Sequence, residues 1–138
     1  MRISRFFAVL MVLFVFNLSA WDEGADSYDS IRARSNKYSV PFIVYIRADW
    51  CPWCVKLDGY LAESDFDNLF RGKYAVKITP DNSPEEKKIE KDLGGKGYPT
   101  ILIIFPNGSK TKISIPIKST RDDVLKSLKK QIDAVFKE

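Results

Sequence analysis

The chain contains no histidine. That absence removes Ser/His and Cys/His nucleophilic catalysis, together with every zinc or copper site that needs an imidazole. Cysteine is nearly as scarce, with Cys51 and Cys54 the only two in 138 residues. Two are too few for a disulfide framework, so a bond between them reads as a working bond rather than a structural one. Methionine also numbers two, which leaves little soft-ligand chemistry beyond the cysteines. Blocks of like charge are missing: 22 basic and 18 acidic residues are interspersed, for a formal charge of +4. Nucleic-acid binding therefore finds no support. No internal repeat, low-complexity tract or second domain is visible, and 138 residues suffice for one hydrophobic core.

A spanning helix is also missing from the pattern. The longest apolar run, residues 6–16, falls short of the ~20 residues needed to cross a bilayer. It follows a basic start, Met1-Arg2-Ile3-Ser4-Arg5, and precedes Asn17-Leu18-Ser19-Ala20. This arrangement predicts a secretory signal peptide over residues 1–20, cleaved after Ala20, with one domain over residues 21–138. The alternatives are secretion or an uncleaved anchor. Export to the bacterial periplasm fits a lone cysteine pair, because disulfides persist outside the cytosol. The chain ends Val135-Phe136-Lys137-Glu138, which is no retention signal.

The cysteines sit in Ala48-Asp49-Trp50-Cys51-Pro52-Trp53-Cys54, after the apolar, β-rich run 41–46 and before a helical pattern that reaches about Leu61. A strand that delivers a cysteine to the first turn of a helix places its sulfur among unpaired N–H groups, where negative charge is favoured. Cys54 lies three residues on, on the same helix face and within disulfide reach. Pro52 is tolerated because the first helical turn has no use for its missing N–H. The stretch reads as a switchable dithiol.

The remaining elements follow from periodicity and turn chemistry. Residues 21–27 are polar and acidic and read as a loose lead-in. Residues 28–38 have helical spacing, with Tyr28, Ile31 and Ser35 on one face. Residues 64–70 predict a short helix or turn, and residues 73–79 a strand. Ser83 and Pro84 open a helix that Gly94-Gly95 closes. Residues 100–105 form a near-continuous apolar run, the mark of a strand buried on both faces. Pro106-Asn107-Gly108 turns the chain back through an antiparallel strand over residues 110–115. A final helix carries Val124, Leu125, Leu128, Ile132, Val135 and Phe136 on one face, which reads as core rather than as an interface. The expected fold class is α/β, ordered α-β-α-β-α-β-β-α, with helices on both faces of a mixed sheet. Nothing in the pattern calls for more than a monomer.

Three landmarks carry a resemblance that covers nearly the whole mature chain: the box at Cys51-Pro52-Trp53-Cys54, Gly97-Tyr98-Pro99-Thr100 before the buried strand, and the Asn107-Gly108 hairpin. Together they resemble the thioredoxin-fold superfamily, with its central four- to five-stranded mixed sheet. The wording Ala48-Asp49-Trp50-Cys51 is similar to exported thioredoxin-like disulfide reductases and to the C-terminal thioredoxin-like domain of the DsbD electron transporter. The resemblance implies that Cys51 is the exposed nucleophile and Cys54 the resolving thiol, and that the Cys51–Cys54 pair works without another cofactor. It implies a cis Pro99 beside the dithiol, which with Tyr98 offers backbone groups to an extended peptide. Pro52, Trp50 and Trp53 complete the contact patch, although packing under the loop is an equal reading of Trp50. The implied partners are protein or peptide disulfides and an upstream thiol donor, such as a membrane electron transporter.

One position departs from the pattern. Where thioredoxin carries a buried carboxylate, six residues before the first cysteine, this chain has Tyr45. Tyrosine is no proton acceptor near neutral pH, since its own pKa is about 10. Asp49 and Asp58 are near in sequence and could substitute, but each reads better as a solvated surface acid; Lys56 could lower a thiol pKa by its charge, but reads better as an exposed helix lysine. Electron direction rests on Trp53. Strongly oxidising DsbA, at about −120 mV against about −270 mV for thioredoxin, resembles Cys-Pro-His-Cys. Trp53 offers no such cation to a thiolate, so a less oxidising couple and a reductase role are expected. The alternatives are an oxidase or isomerase, a Cu(I) carrier using the two thiolates, and a binding module whose dithiol is static.

Overall fold

The structure, a computed structural model, describes residues 19–137. All but the last two residues of the expected signal segment lie outside the described residues. Five strands and five helices follow one another as β1 (Asp22–Glu23), α1 (Ala25–Tyr38), β2 (Phe42–Ile46), α2 (Pro52–Leu61), α3 (Ser64–Phe70), β3 (Ala75–Ile78), α4 (Pro84–Leu93), β4 (Thr100–Ile104), β5 (Lys110–Lys112) and α5 (Arg121–Val135). A single 3-10 turn, Pro80–Asn82, joins β3 to α4.

The strands form one mixed sheet in the order β1-β3-β2-β4-β5. β2 is central: it pairs in parallel with β3 (Ile43 beside Ala75, Ile46 beside Ile78) and antiparallel with β4 (Phe42 opposite Ile104, Ile46 opposite Thr100). Both strands that flank the dithiol region, β2 and β4, are buried at every position. Strand pleating then splits their side chains between two cores. Ile43, Tyr45, Ile101 and Ile103 face α2, α3 and α5, packing with Leu57, Phe66, Phe70, Leu128 and Ile132. Phe42, Val44, Ile46, Leu102 and Ile104 face α1 and α4 through Tyr28, Ile31 and Ile89. The expected helices on both faces are there, and the apolar stripe of α5 is core, with Val124, Leu128 and Ile132 fully buried.

Local signals set the helix ends. Ser83 caps α4 by accepting a hydrogen bond from Glu86 N at 3.1 Å, with Pro84 at the first helical position. Gly94, with φ 68°, ends that helix in the left-handed region where a side chain would be strained. Thr120 and Asp123 form a reciprocal capping box on α5. The last strand is shorter than expected: only Lys110–Lys112 pair with β4. Ile113 N still donates to the Ile101 carbonyl of β4 at 2.8 Å, and the next residue is claimed by α5, where Gln131 accepts from Ser114 N at 2.8 Å and Ser127 and Gln131 donate to its carbonyl.

The lead-in over residues 21–27 is not loose. Asp22–Glu23 add a parallel edge strand to β3, and Gly24, with φ 92°, turns the chain directly into α1 at Ala25. Trp21 anchors this segment. It is 5 % exposed, with its ring 4.7 Å from that of Phe70 and 5.8 Å from that of Tyr45. Two paired residues are too few to show alternation, so sequence pattern alone reads them as loop. Replacing Trp21 by alanine is expected to cost about 3–5 kcal/mol of stability, the scale for an aromatic lost from a core. Urea unfolding checks this, and a cost under about 1 kcal/mol would mean that the segment is dispensable to the fold.

Candidate active site

β2 leaves the sheet at Ile46, and the short link 47–51 delivers Cys51 to the start of α2. Cys51 is the N-cap itself: its backbone is extended, and its Sγ accepts the N–H of Cys54 at 3.2 Å. The sulfur thus occupies the cap position that an oxygen usually fills, at the positive end of the helix. Pro52 stands exposed at the first helical position. Both cysteines are free thiols here, and with Ala48 they form a small apolar cluster of their own.

Facing them is the loop before β4. The Tyr98–Pro99 peptide bond is cis, both residues are half-buried, and Tyr98 packs against the cysteine cluster. The Trp50 ring stands edge-on to that of Tyr98 at 5.7 Å, while its Nε1 donates to Asp81 at 2.9 Å. The Tyr98 hydroxyl donates to Glu90. Burial, and then that bond to Glu90, push the Tyr98 hydroxyl up to about 12, so it remains a donor at neutral pH. Trp50 is 69 % exposed, which removes the reading that it packs under the loop. Trp53 is 40 % exposed, with the ammonium groups of Lys56 and Lys118 over its ring at 5.5 and 5.8 Å.

Two expectations change. Cys51 is not exposed: it keeps 5 % of its surface, because Tyr98 packs over the pair. Asp58 is not a solvated surface acid. It accepts from the Tyr45 hydroxyl at 2.9 Å and from Arg47 Nε at 3.0 Å, while Asp49 is the exposed acid, paired with Arg47 at 2.7 Å. Lys56 is the exposed helix lysine expected, and its Nζ donates to the Ile117 carbonyl at 3.1 Å.

Tyr45 is fully buried, and its hydroxyl also reaches the Cys54 carbonyl at 3.3 Å. Burial first, and then the Asp58 carboxylate, push that hydroxyl far up, so Tyr45 acts here as a donor. It holds Asp58, one helical turn after Cys54, so the buried hydroxyl of β2 is met by a carboxylate from α2. Sequence reading missed Arg47, Asp81 and Glu90. Arg47, a charge directly after a buried strand and two residues before an acid, carried a local signal; the other two did not.

No protein-family model and no curated protein matches this chain. Solved structures do. A thioredoxin from Thermus thermophilus is 20 % identical over 80 % of this chain and 85 % of its own, with a TM-score of 0.59. A disulphide isomerase from Xylella fastidiosa Temecula1 is 19 % identical over 77 % of this chain and 88 % of its own, at 0.61. The reduced DsbD C-terminal domain of Neisseria meningitidis is 18 % identical over 80 % and 97 %, at 0.60. The chain is a thioredoxin-fold protein. Within that fold the chain places its Cys51–Cys54 pair, a cis Pro99 and the Tyr45–Asp58 contact.

Burial, and then the bond with Cys51, push the Cys54 thiol up to about 12 from a usual 9.0, while the Ala48 backbone and the Arg47 charge act the other way. The folded reduced chain therefore keeps a proton there that the unfolded chain releases. The stability tied to this group is complete below about pH 9 and is lost as pH rises towards 12. Reduced wild type is expected to lose stability relative to Cys54→Ala between pH 8 and pH 10.5. Denaturant midpoints at both values check this, and a constant difference would refute it.

Proposed function

We propose that this protein is an exported thiol–disulfide oxidoreductase that reduces protein disulfides. The observation that carries the reading is the Cys54 N–H on Cys51 Sγ at 3.2 Å, at a helix start that faces a cis proline. A sulfur held as the helix cap is stabilised as it gains negative charge, and its partner thiol sits one turn behind. The shared fold supports the same class of chemistry. Export and a periplasmic setting rest on the signal pattern of residues 1–20.

In this reading the Cys51 thiolate attacks one sulfur of a substrate disulfide. The substrate S–S bond breaks, a mixed disulfide forms, and the departing substrate thiolate takes up a proton. Cys54 then gives up its proton and attacks Cys51 Sγ. The mixed disulfide breaks, the Cys51–Cys54 bond forms, and the second substrate thiolate leaves. Two electrons pass from the dithiol to the substrate, and an upstream thiol donor restores them. Proton removal is the demanding step, because Cys54 is held up at about 12. Asp58, fixed by Tyr45 and Arg47, is the group we assign to receive that proton. Trp50, Pro52, Trp53, Tyr98 and Pro99 are the contact surface.

Two measurements test the reading. Cys54→Ser is expected to accumulate mixed disulfides with substrate proteins, and Cys51→Ser to accumulate none. A reduction potential near about −270 mV supports the reductase direction, whereas one above about −180 mV would assign an oxidase or isomerase. If the pair showed no reversible two-electron couple, the protein would be a binding module.

A further inference from the structure

Beside the dithiol, on the Trp53 side, lies an open groove of roughly 630 Å³ that runs from Tyr98 and Pro99 to the link between β5 and α5. Trp53, Ile113, Ile115 and Ile117 line it with the two loop residues and Ser114, and apolar and polar surface share it equally. The charged residues lining it are Lys112 and Lys118, both exposed, and no acid lines it. Lys118 and Lys56 set two ammonium groups against the Trp53 ring. Among the described residues none of these three lysines forms an ion pair. The acids near the site stand elsewhere: Asp81 holds Trp50, and Asp49 holds Arg47. Across Cys51 the site is thus polarised, basic at Trp53 and acidic at Trp50.

We propose that this groove binds the acidic flank of a disulfide-bearing protein segment, with Lys112 and Lys118 selecting carboxylates next to the reacting cysteine. The proposal rests on the disulfide-exchange reading above and names its substrate class. The apolar side chains of the groove take the segment's side chains, and ammonium groups at the rim that form no ion pair among the described residues meet its acids. Ser114 is unavailable for strand pairing, since α5 side chains occupy its N–H and carbonyl. That leaves side-chain charge, rather than an added strand along β5, to set preference at this end of the groove.

The test mixes reduced protein with disulfide peptides of identical net charge, in which two glutamates lie either beside the reacting cysteine or about ten residues away. Second-order rates are followed by tryptophan fluorescence. Adjacent glutamates are expected to react about five-fold faster at low salt, the scale of two exposed ion pairs, with the advantage fading at 1 M salt. In the K112Q/K118Q double variant the ratio should fall to near one. A folding defect lowers both rates alike and does not move the ratio. Equal rates in the wild type, or an unchanged ratio in the double variant, would overturn the proposal and leave the oxidoreductase reading standing. If no peptide were reduced, that reading would fall and the proposal with it.

Discussion

Everything at the dithiol depends on β2 being fixed from both sides. Its five residues are wholly enclosed, paired with β3 on one edge and β4 on the other, and packed under helices on both faces. A strand so constrained leaves the chain one exit at Ile46, and five residues later Cys51 caps α2. Because β4 begins at Thr100 opposite Ile46, the same pairing brings Tyr98 and Pro99 alongside the cysteines. One ladder therefore sets both halves of the site, and its rigidity lets a buried thiol pair hold a defined geometry.

On the α2 side of the sheet a buried phenol is met by a carboxylate. Tyr45 occupies the buried strand position, where a phenol is far easier to bury than an ionised acid. Its hydroxyl needs an acceptor, and Asp58 provides one with Arg47 on its other oxygen. The three side chains satisfy one another and place negative charge one turn past Cys54. The acid itself is partly solvated, with 28 % of its side chain exposed.

Above the cysteines the two tryptophans differ in company. Trp50 is held by Asp81 and leans on Tyr98, whereas Trp53 carries lysine ammonium groups on its ring. Both rings are exposed, with an acid at one and cations at the other. Tyr98 joins both regions, tied to Glu90 at its tip and covering the cysteines with its ring.

Much of this was legible in the chain itself. The apolar runs at β2 and β4, the caps at Ser83 and Thr120, and the Cys-Pro-Trp-Cys box are local signals, and local physics decides strand burial, helix ends and the placing of a sulfur at a helix start. Tertiary structure alone decided the rest. Two paired residues could not announce β1, so Trp21 became core only once Phe70 and Tyr45 were beside it. Asp58 looked solvated until Tyr45, thirteen residues earlier, turned its hydroxyl to it, and Cys51 looked exposed until Tyr98 arrived from a loop more than forty residues on. Periodicity encodes which face of an element is apolar; what a polar side chain will touch is encoded only in the packing of elements distant in sequence.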